Sequence, residues 1–301
     1  MKHISIKATM SLAAILLLTA ACTDELNDCP TDTGRVIAFT PSAESRAAVD
    51  GSALPSGSSF SVWGWYGTEG DITKQVFKNE HETVSESNGK WTYTGGVQYW
   101  IPGNTYNFYG VYPAELPNVD VTNNGNITVT NFNCSATGTN AVDLMTASRT
   151  EMNGNNPETV AMKFNHELAR VKVSVESNGA TVSELKVYGV GYQGSFNSGD
   201  NPKWNVSGTA EENSTPFSNS GGLDMLLIPA TDLTKAILKV TYHYGADTPN
   251  SRTDEKTLEI SGGWTAGKQY HYKVSIVAGK LTINVTVADW KEDDTSVSWE
   301  K

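Results

Sequence analysis

Residues 270–287, YHYKVSIVAGKLTINVTV, decide the fold class of this chain. Apolar and polar residues alternate through 270–277, and a second alternation runs through 281–287 after the short break Ala278-Gly279-Lys280. A period of two places every second side chain on the same face of a strand, so that one face is buried and the other meets water. Two such runs joined by a tight turn predict a hairpin in an antiparallel sheet.

The same alternation recurs at 168–176 and at 236–244. The first half of the chain is patterned differently, because its apolar runs at 60–66, 97–100 and 106–112 are aromatic-rich and uninterrupted. Bounded by Gly, Pro or Asn, such runs predict strands inside the core of a sandwich. Clusters of turn residues recur roughly every 8–12 residues, which is typical of an all-β sandwich or barrel.

The N-terminus has the layout of an export signal. Lys2, His3 and Lys7 precede an apolar run over 8–21, and Cys22 follows Thr19-Ala20-Ala21. The run is too short to cross a bilayer as a stable helix. We therefore predict a lipoprotein signal peptide over residues 1–21 and lipidation at Cys22, although Leu18 lies one position earlier than the usual large aliphatic residue.

Removal of residues 1–21 leaves about 280 residues with 20 basic and 33 acidic side chains, a net charge of −13. An acidic surface of this kind disfavours nucleic acid as a partner. Besides Cys22 the chain has only Cys29 and Cys134. Two cysteines do not form a disulfide framework, and whether these two pair is left open.

No motif predicts an enzyme, a metal site or a cofactor. His166-Glu167 lacks the second histidine that a zinc-binding helix needs one turn later. The sequence also has no Gly-x-Ser-x-Gly elbow, phosphate loop or dinucleotide fingerprint. Several tryptophans could stack on sugar rings, but they lie in strand-like runs and are predicted to be core residues: Trp63, Trp65, Trp91 and Trp100.

A set of short segments, spread in order over the chain, matches a known family. They are VIAF at 36–39, ESRA at 44–47, FSVW at 60–63, YWIP at 99–102, FYGVYP at 108–113, DLMTA at 143–147, MKFNHELARV at 162–171, LIPA at 227–230, WTAGKQY at 264–270 and VADW at 287–290. The chain resembles the fimbrillins, the pilus subunits and related surface lipoproteins of Bacteroidota. The resemblance implies two transthyretin-like antiparallel β-sandwich domains in tandem.

We place the boundary between the two domains in the polar stretch that ends at Pro157. The expected division is a signal peptide over 1–21, a lipidated tether and first strand over 22–46, an N-terminal β-sandwich domain over 47–157 and a C-terminal β-sandwich domain over 158–301.

The resemblance also implies a mechanism of assembly by strand exchange. A trypsin-like protease cuts the lipoprotein precursor after an arginine, the first strand leaves, and a terminal strand of another subunit fills the groove. In this chain the family pattern assigns the cut to Arg46 and the departing strand to Val36, Ile37 and Phe39. Arg35 is the weaker candidate for the cut, because cleavage there would not remove residues 36–39.

The donated segment is expected at the C-terminus. Thr295, Val297 and Trp299 would share one face of an extended strand, with Val297 and Trp299 filling pockets of the neighbouring subunit. Two alternatives stay open: residues 295–299 form a closing edge strand of their own domain, or residues 281–287 are the strand that moves.

The sequence thus predicts a non-enzymatic pilus subunit without a cofactor. Its expected location is the outer membrane and the fimbrium at the cell surface. Its expected partners are other fimbrillin subunits, the maturation protease and, through lipid, the membrane. The main alternative is a surface lipoprotein that binds glycans or host ligands and does not polymerise.

Overall fold

The computed structural model describes residues 35–43, 54–199, 203–245, 250–277 and 279–290. These residues form strands, connecting turns and loops, and the short 3-10 segment Gly138–Asn140, and no α-helix occurs among them, which confirms the predicted all-β class. None of the described segments is a helix long and apolar enough to span a bilayer. The strands are β1 Phe39–Ala43, β2 Ser59–Thr68, β3 Asp71–Gln75, β4 His81–Ser87, β5 Lys90–Thr92, β6 Thr105–Tyr112, β7 Val119–Val121, β8 Ile127–Asn133, β9 Met145–Asn153, β10 Val160–His166, β11 Ala169–Glu176, β12 Ala180–Tyr188, β13 Gly191–Asn197, β14 Trp204–Thr209, β15 Ser218–Asn219, β16 Leu223–Leu227, β17 Ile237–Tyr244, β18 Arg252–Thr257, β19 Lys268–Val277 and β20 Lys280–Asp289.

The first sheet has the order β1-β10-β9-β6-β2-β4-β5, with β3 paired to β2. Its central strands are buried on both faces: on β2, Phe60 and Val62 point into one core, and Trp63 and Trp65 point into another. This two-sided burial explains why the aromatic runs of the first half show no alternation. Trp63, Trp65 and Trp100 are buried as predicted, and Trp91 packs against the first core.

A second sheet, β14-β13-β8-β7, covers the outer face of the first one. Its strands come from two distant parts of the chain, since β8 pairs with β13 in antiparallel register, for example Phe132 opposite Gly194. Val121, Ile127 and Val129 of this sheet join Trp63 and Trp65 in one hydrophobic core.

The C-terminal sandwich is built from the sheets β16-β11-β19-β20 and β15-β12-β17-β18. Alternate residues of β11, β17 and β19 fill the core between them, among them Val171, Leu238 and Tyr272. The predicted hairpin is confirmed as β19 and β20, which pair in one uninterrupted register from Lys268–Asp289 to Val277–Lys280.

Two features differ from the sequence prediction. Residues 97–100 were predicted to form a strand but contribute only an isolated bridge, Tyr99 to Val36. The amide of Gln98 donates to the hydroxyl of Tyr93, and that of the following Ile101 donates to the hydroxyl of Tyr106, instead of to a neighbouring strand. Two pairings, β1 with β10 and β11 with β19, are parallel in sheets predicted to be antiparallel. They arise because β1 and β11 are joined to those partners by long crossovers rather than by hairpins.

The pairing of β10 shows where the first sheet ends. β10 lies after the predicted boundary at residue 157, yet it pairs with β9 and β1 of the first sheet. The first sheet therefore extends to His166, because the polar stretch before Pro157 is only the turn between β9 and β10. The division into tandem domains stays a prediction, but no break in sheet pairing lies at residue 157.

Candidate strand-exchange site

The structure describes three of the predicted site residues, Val36, Ile37 and Phe39. Cys22, Arg46, Val297 and Trp299 lie outside the described residues. Cys29 lies there too, whereas Cys134 is a buried free thiol whose pKa burial raises to about 12. The geometry of the site is therefore that of the first strand and of the surfaces that it contacts.

The backbone of the first strand is held by two neighbours. β1 is the edge strand of the first sheet and runs parallel to β10, with Phe39 opposite Val160 and Ala43 opposite Phe164. Just before β1, the amide of Ile37 donates to Gln98 O at 2.8 Å, and the amide of Trp100 donates to Arg35 O at 2.8 Å. The extended segment from residue 35 to 43 thus pairs first with the loop before β6 and then with β10.

The side chains of this segment lie in the first core. Ile37 is 1% exposed and Phe39 is 4% exposed, whereas Ala38 and Thr40 face solvent. The ring of Phe39 meets four others, with centroid distances of 5.4–6.4 Å: Phe60, Phe77, Tyr93 and Phe108. Alternation along the strand therefore inserts Ile37 and Phe39 as two consecutive apolar anchors.

Tyr93 links the first strand to the opposite end of the sheet. It lies just after β5, and its hydroxyl donates to Ile37 O at 2.9 Å and accepts from the amide of Gln98 at 3.2 Å. Burial raises the pKa of this phenol, so the hydroxyl stays protonated and able to donate. The first strand consequently closes the space between β10 and the end of β5.

Arg35, the weaker cleavage candidate, is engaged in the structure. Its guanidinium donates to Trp100 O from Nη2 at 3.0 Å and from Nε at 3.3 Å, and it reaches Gly154 O at 3.5 Å. A protease needs an extended, accessible arginine. The contacts of Arg35 hold it against the body of the protein instead.

At the C-terminal end, Trp290 is buried beside His166. The two rings stack at 4.0 Å with an interplanar angle of 14°, and the guanidinium of Arg170 lies 5.8 Å from the indole. His166 in turn places Nδ1 2.6 Å from Asp143 Oδ2. The described C-terminal end of the chain is therefore anchored at Trp290.

Glu167, next to this stack, is a buried carboxyl group. Its Oε1 accepts from the hydroxyl of Thr146 at 2.6 Å, its main-chain oxygen accepts from the indole of Trp204 at 2.9 Å, and Lys203 Nζ lies 3.8 Å from Oε2. Burial raises the pKa of Glu167. The cleft beside it has a volume of about 320 Å³. Within the described residues, no group of three or more His, Cys, Asp or Glu could hold a metal ion.

Sequence reasoning missed several residues of this region. Tyr93 was not predicted to contact the first strand, and neither Asp143 nor Trp290 was predicted to contact His166. The members of each pair are distant along the chain; Asp143 and His166, for example, are 23 residues apart. The segments DLMTA, MKFNHELARV and VADW were recognised as part of the family pattern, but pattern alone does not say that their residues meet.

Comparison with solved structures places this arrangement in one class of all-β protein. A fimbrial protein from Bacteroides vulgatus matches with a TM-score of 0.54 and 16% identity, covering 85% of this chain and 100% of its own. Candidate cell adhesion proteins from Bacteroides ovatus and Bacteroides uniformis match with TM-scores of 0.59 and 0.58 and identities of 18% and 16%. The alignments cover 85% and 86% of this chain and 98% and 100% of theirs. At these identities the likeness concerns the fold.

The family follows from the sequence itself. The fimbrillin-like family model matches residues 45–290, and the chain therefore belongs to the fimbrillin-like family. The predicted membership is confirmed, and the family supports the coarser prediction of a pilus subunit at the cell surface. A search of curated proteins found no match.

Proposed function

We propose that the chain is exported as an outer-membrane lipoprotein through Cys22, is cut after Arg46 and polymerises by strand exchange at the site of its first strand. One observation supports this most: the edge strand β1 and the residues before it supply Ile37 and Phe39 to the first core. Loss of the segment would expose apolar pockets together with the unpaired edge of β10. A strand donated by a neighbour would fill both at once.

The position of the cut follows from the same segment. Cleavage after Arg46 would remove all of residues 36–43, whereas cleavage after Arg35 would leave these residues in the protein. Arg46 lies three residues after the end of β1, in a stretch of small and polar residues. The proposed maturation product therefore begins at Ala47.

The glycan-binding alternative loses three of the four tryptophans considered for it. Trp63, Trp65 and Trp100 are 4%, 6% and 2% exposed, so their rings are not available to stack on a sugar. Trp91 is partly buried and packs against the first core.

The test is a comparison of Arg46→Gln with Arg149→Gln in cells that produce surface fibres. Arg149 is an exposed arginine paired with Glu158 at 3.2 Å, so its loss removes an equal charge at little structural cost. We expect Arg149→Gln to give polymers whose subunits begin at Ala47 by mass spectrometry, and Arg46→Gln to give uncut monomers. Fibres that retain residues 36–39, or Arg46→Gln subunits that polymerise normally, would refute the proposal.

A further inference from the structure

We propose that the open edge of β20 pairs with the same edge of a second copy of this chain, joining two C-terminal sandwiches through one continuous sheet. This interface is separate from the first strand and does not depend on cleavage at Arg46. In the described chain, β20 has β19 on one side and ends the sheet on the other.

The backbone groups of β20 alternate between these two sides. The amide of Trp290 donates to Gly267 O at 3.1 Å, and the β19–β20 register continues without a break, so the backbone groups of even-numbered positions point toward β19. Hydrogen bonding alternates along an antiparallel pair. The odd-numbered positions from Leu281 to Val287 therefore turn their N–H and C=O groups outward.

Most of this edge lacks the residue types by which proteins prevent unwanted pairing between sheet edges. Residues 281–288, LTINVTVA, contain no charge, proline or glycine. β18, the edge strand of the facing sheet, carries charges at four of its six positions: Arg252, Asp254, Glu255 and Lys256. Charged residues on an edge disfavour pairing, and a long uncharged edge favours it. β20 is ten residues long, which makes it the longest edge strand described.

The pattern of β20 is complementary to itself. Around Asn284 the residues form a chemical palindrome in which Thr282 matches Thr286, Ile283 matches Val285 and Leu281 matches Val287. A two-fold axis through Asn284, perpendicular to the sheet, would place each residue opposite its match on the same face. In this register the outward-facing backbone groups of Ile283 and Leu281 meet those of Val285 and Val287 in the second copy.

Val287 indicates what the pairing would bury. Leu281 is 5% exposed, but Val287, on the same face at the other end of the strand, is 49% exposed. Self-pairing would set Leu281 of the second copy against Val287 and would extend the apolar face across the junction. A second copy is thus the occupant that matches both the backbone and the side chains of this edge.

Two lysine substitutions distinguish an effect at the β20 edge from an effect elsewhere in the β19–β20 hairpin. Val287 and Val277 are both exposed valines, at 49% and 56%, but Val277 lies on β19, which has strands on both sides. Analytical ultracentrifugation of the full chain should show a dimer for wild type and for Val277→Lys. Val287→Lys should raise the dimer dissociation constant roughly tenfold or more, because it places a charge on the pairing edge.

Cysteines introduced one at a time test the pairing register of the two β20 strands independently of the stability of the dimer. At the two-fold axis Asn284→Cys meets itself, at a Cα separation near the 4.5 Å of a non-hydrogen-bonded pair, within the range of a disulfide. Thr282→Cys meets Thr286 of the second copy. With added oxidant we expect Asn284→Cys to give a covalent dimer on a non-reducing denaturing gel, and Thr282→Cys to show no more cross-linking than wild type.

A monomeric wild-type chain at tens of micromolar, equal dissociation by both lysine variants, or equal cross-linking by both cysteine variants would overturn the proposal. So would amide exchange showing that β20 is protected in a monomer only while residues 291–301 are present. That result would assign the edge to the chain's own tail.

Discussion

Four aromatic rings surround Phe39, and this side chain decides how tightly the first strand is held. Phe39→Ala should destabilise the uncleaved chain by about 3–5 kcal/mol, because it removes a buried ring and leaves a cavity in the first core. Denaturant unfolding measures the change. Thr40→Ala, on the exposed face of the same strand, is the matched control and should stay within about 0.5 kcal/mol of wild type. Equal effects of the two substitutions would mean that Phe39 does not anchor the strand.

Glu167 predicts a dependence of stability on pH. Since burial raises its folded-state pKa above the unfolded value, the folded state binds its proton more tightly, and the stability this provides is present at low pH. That contribution is lost as pH rises through the raised pKa. Glu167→Gln keeps an oxygen that can accept from Thr146 and removes the charge.

The measurement is the difference in unfolding free energy between wild type and Glu167→Gln from pH 4 to pH 8. We expect wild type to lose stability relative to the variant as pH rises. A difference that is constant with pH, or that changes in the opposite direction, would contradict the assignment.

Single residues also show where sequence reasoning reached its limit. Ile37 and Phe39 could be predicted as anchors, because alternation places them on one face of a strand. The role of Tyr93 could not be predicted, because it depends on a hydroxyl bond to Ile37, which lies 56 residues away along the chain. The stacking of Trp290 on His166 could not be predicted from the sequence either, because only the fold brings the ends of β10 and β20 together.

Among the strands, β20 and the segment beyond it compete for the role of donor. β20 is paired to β19 along its whole length, and Trp290 fixes its end, so its release would cost the entire hairpin. We therefore favour residues 295–299 as the donated strand. Val297→Asp should leave monomer melting unchanged and abolish polymers, because a buried charge cannot replace an apolar anchor in the groove.

Val285→Asp is the matched substitution on β20 and should lower the melting temperature of the monomer, because Val285 packs against the C-terminal core. Thermal melting and heat-sensitive ladders on a denaturing gel are the two readouts. Normal polymers from Val297→Asp would remove residues 295–299 from the role of donor.

Strand prediction succeeded where one sheet face meets water. β11, β17, β19 and β20 carry clear alternation and lie where the sequence placed them. β2 and β6 were recognised as core strands from aromatic content, although two-sided burial hides their pairing. Residues 97–100 share that aromatic content but pair only through a bridge and side-chain hydroxyls, a distinction that composition cannot make.

For the whole protein, the proposed lipidation at Cys22 can be tested by its effect on localisation. Cys22→Ser should leave the precursor in the periplasm, because no other segment is expected to hold it at the membrane. Partition into detergent and labelling of intact cells measure the result. Cys29→Ser, in the same polar stretch, is the control and should behave as wild type. Unchanged surface labelling of Cys22→Ser would exclude lipidation at this position.

The architecture as a whole was predictable in class but not in connectivity. The local patterns did not indicate which strands share a sheet. β8 and β13 pair in one sheet, and β10 belongs to the first sheet. Nothing in local composition reports pairings between strands about 60 residues apart.

The shared sheet and the core beneath it have a mechanical consequence. If the proposed strand exchange joins the subunits, a fibre under tension would pull on each subunit through the exchanged strands. Where two groups of strands are connected only by a linker, such a load would first straighten the linker. Here the β8–β13 ladder and the core that contains Trp63 and Trp65 would have to break before the strands on either side of them could separate. We therefore expect these described sheets to resist a pulling force together.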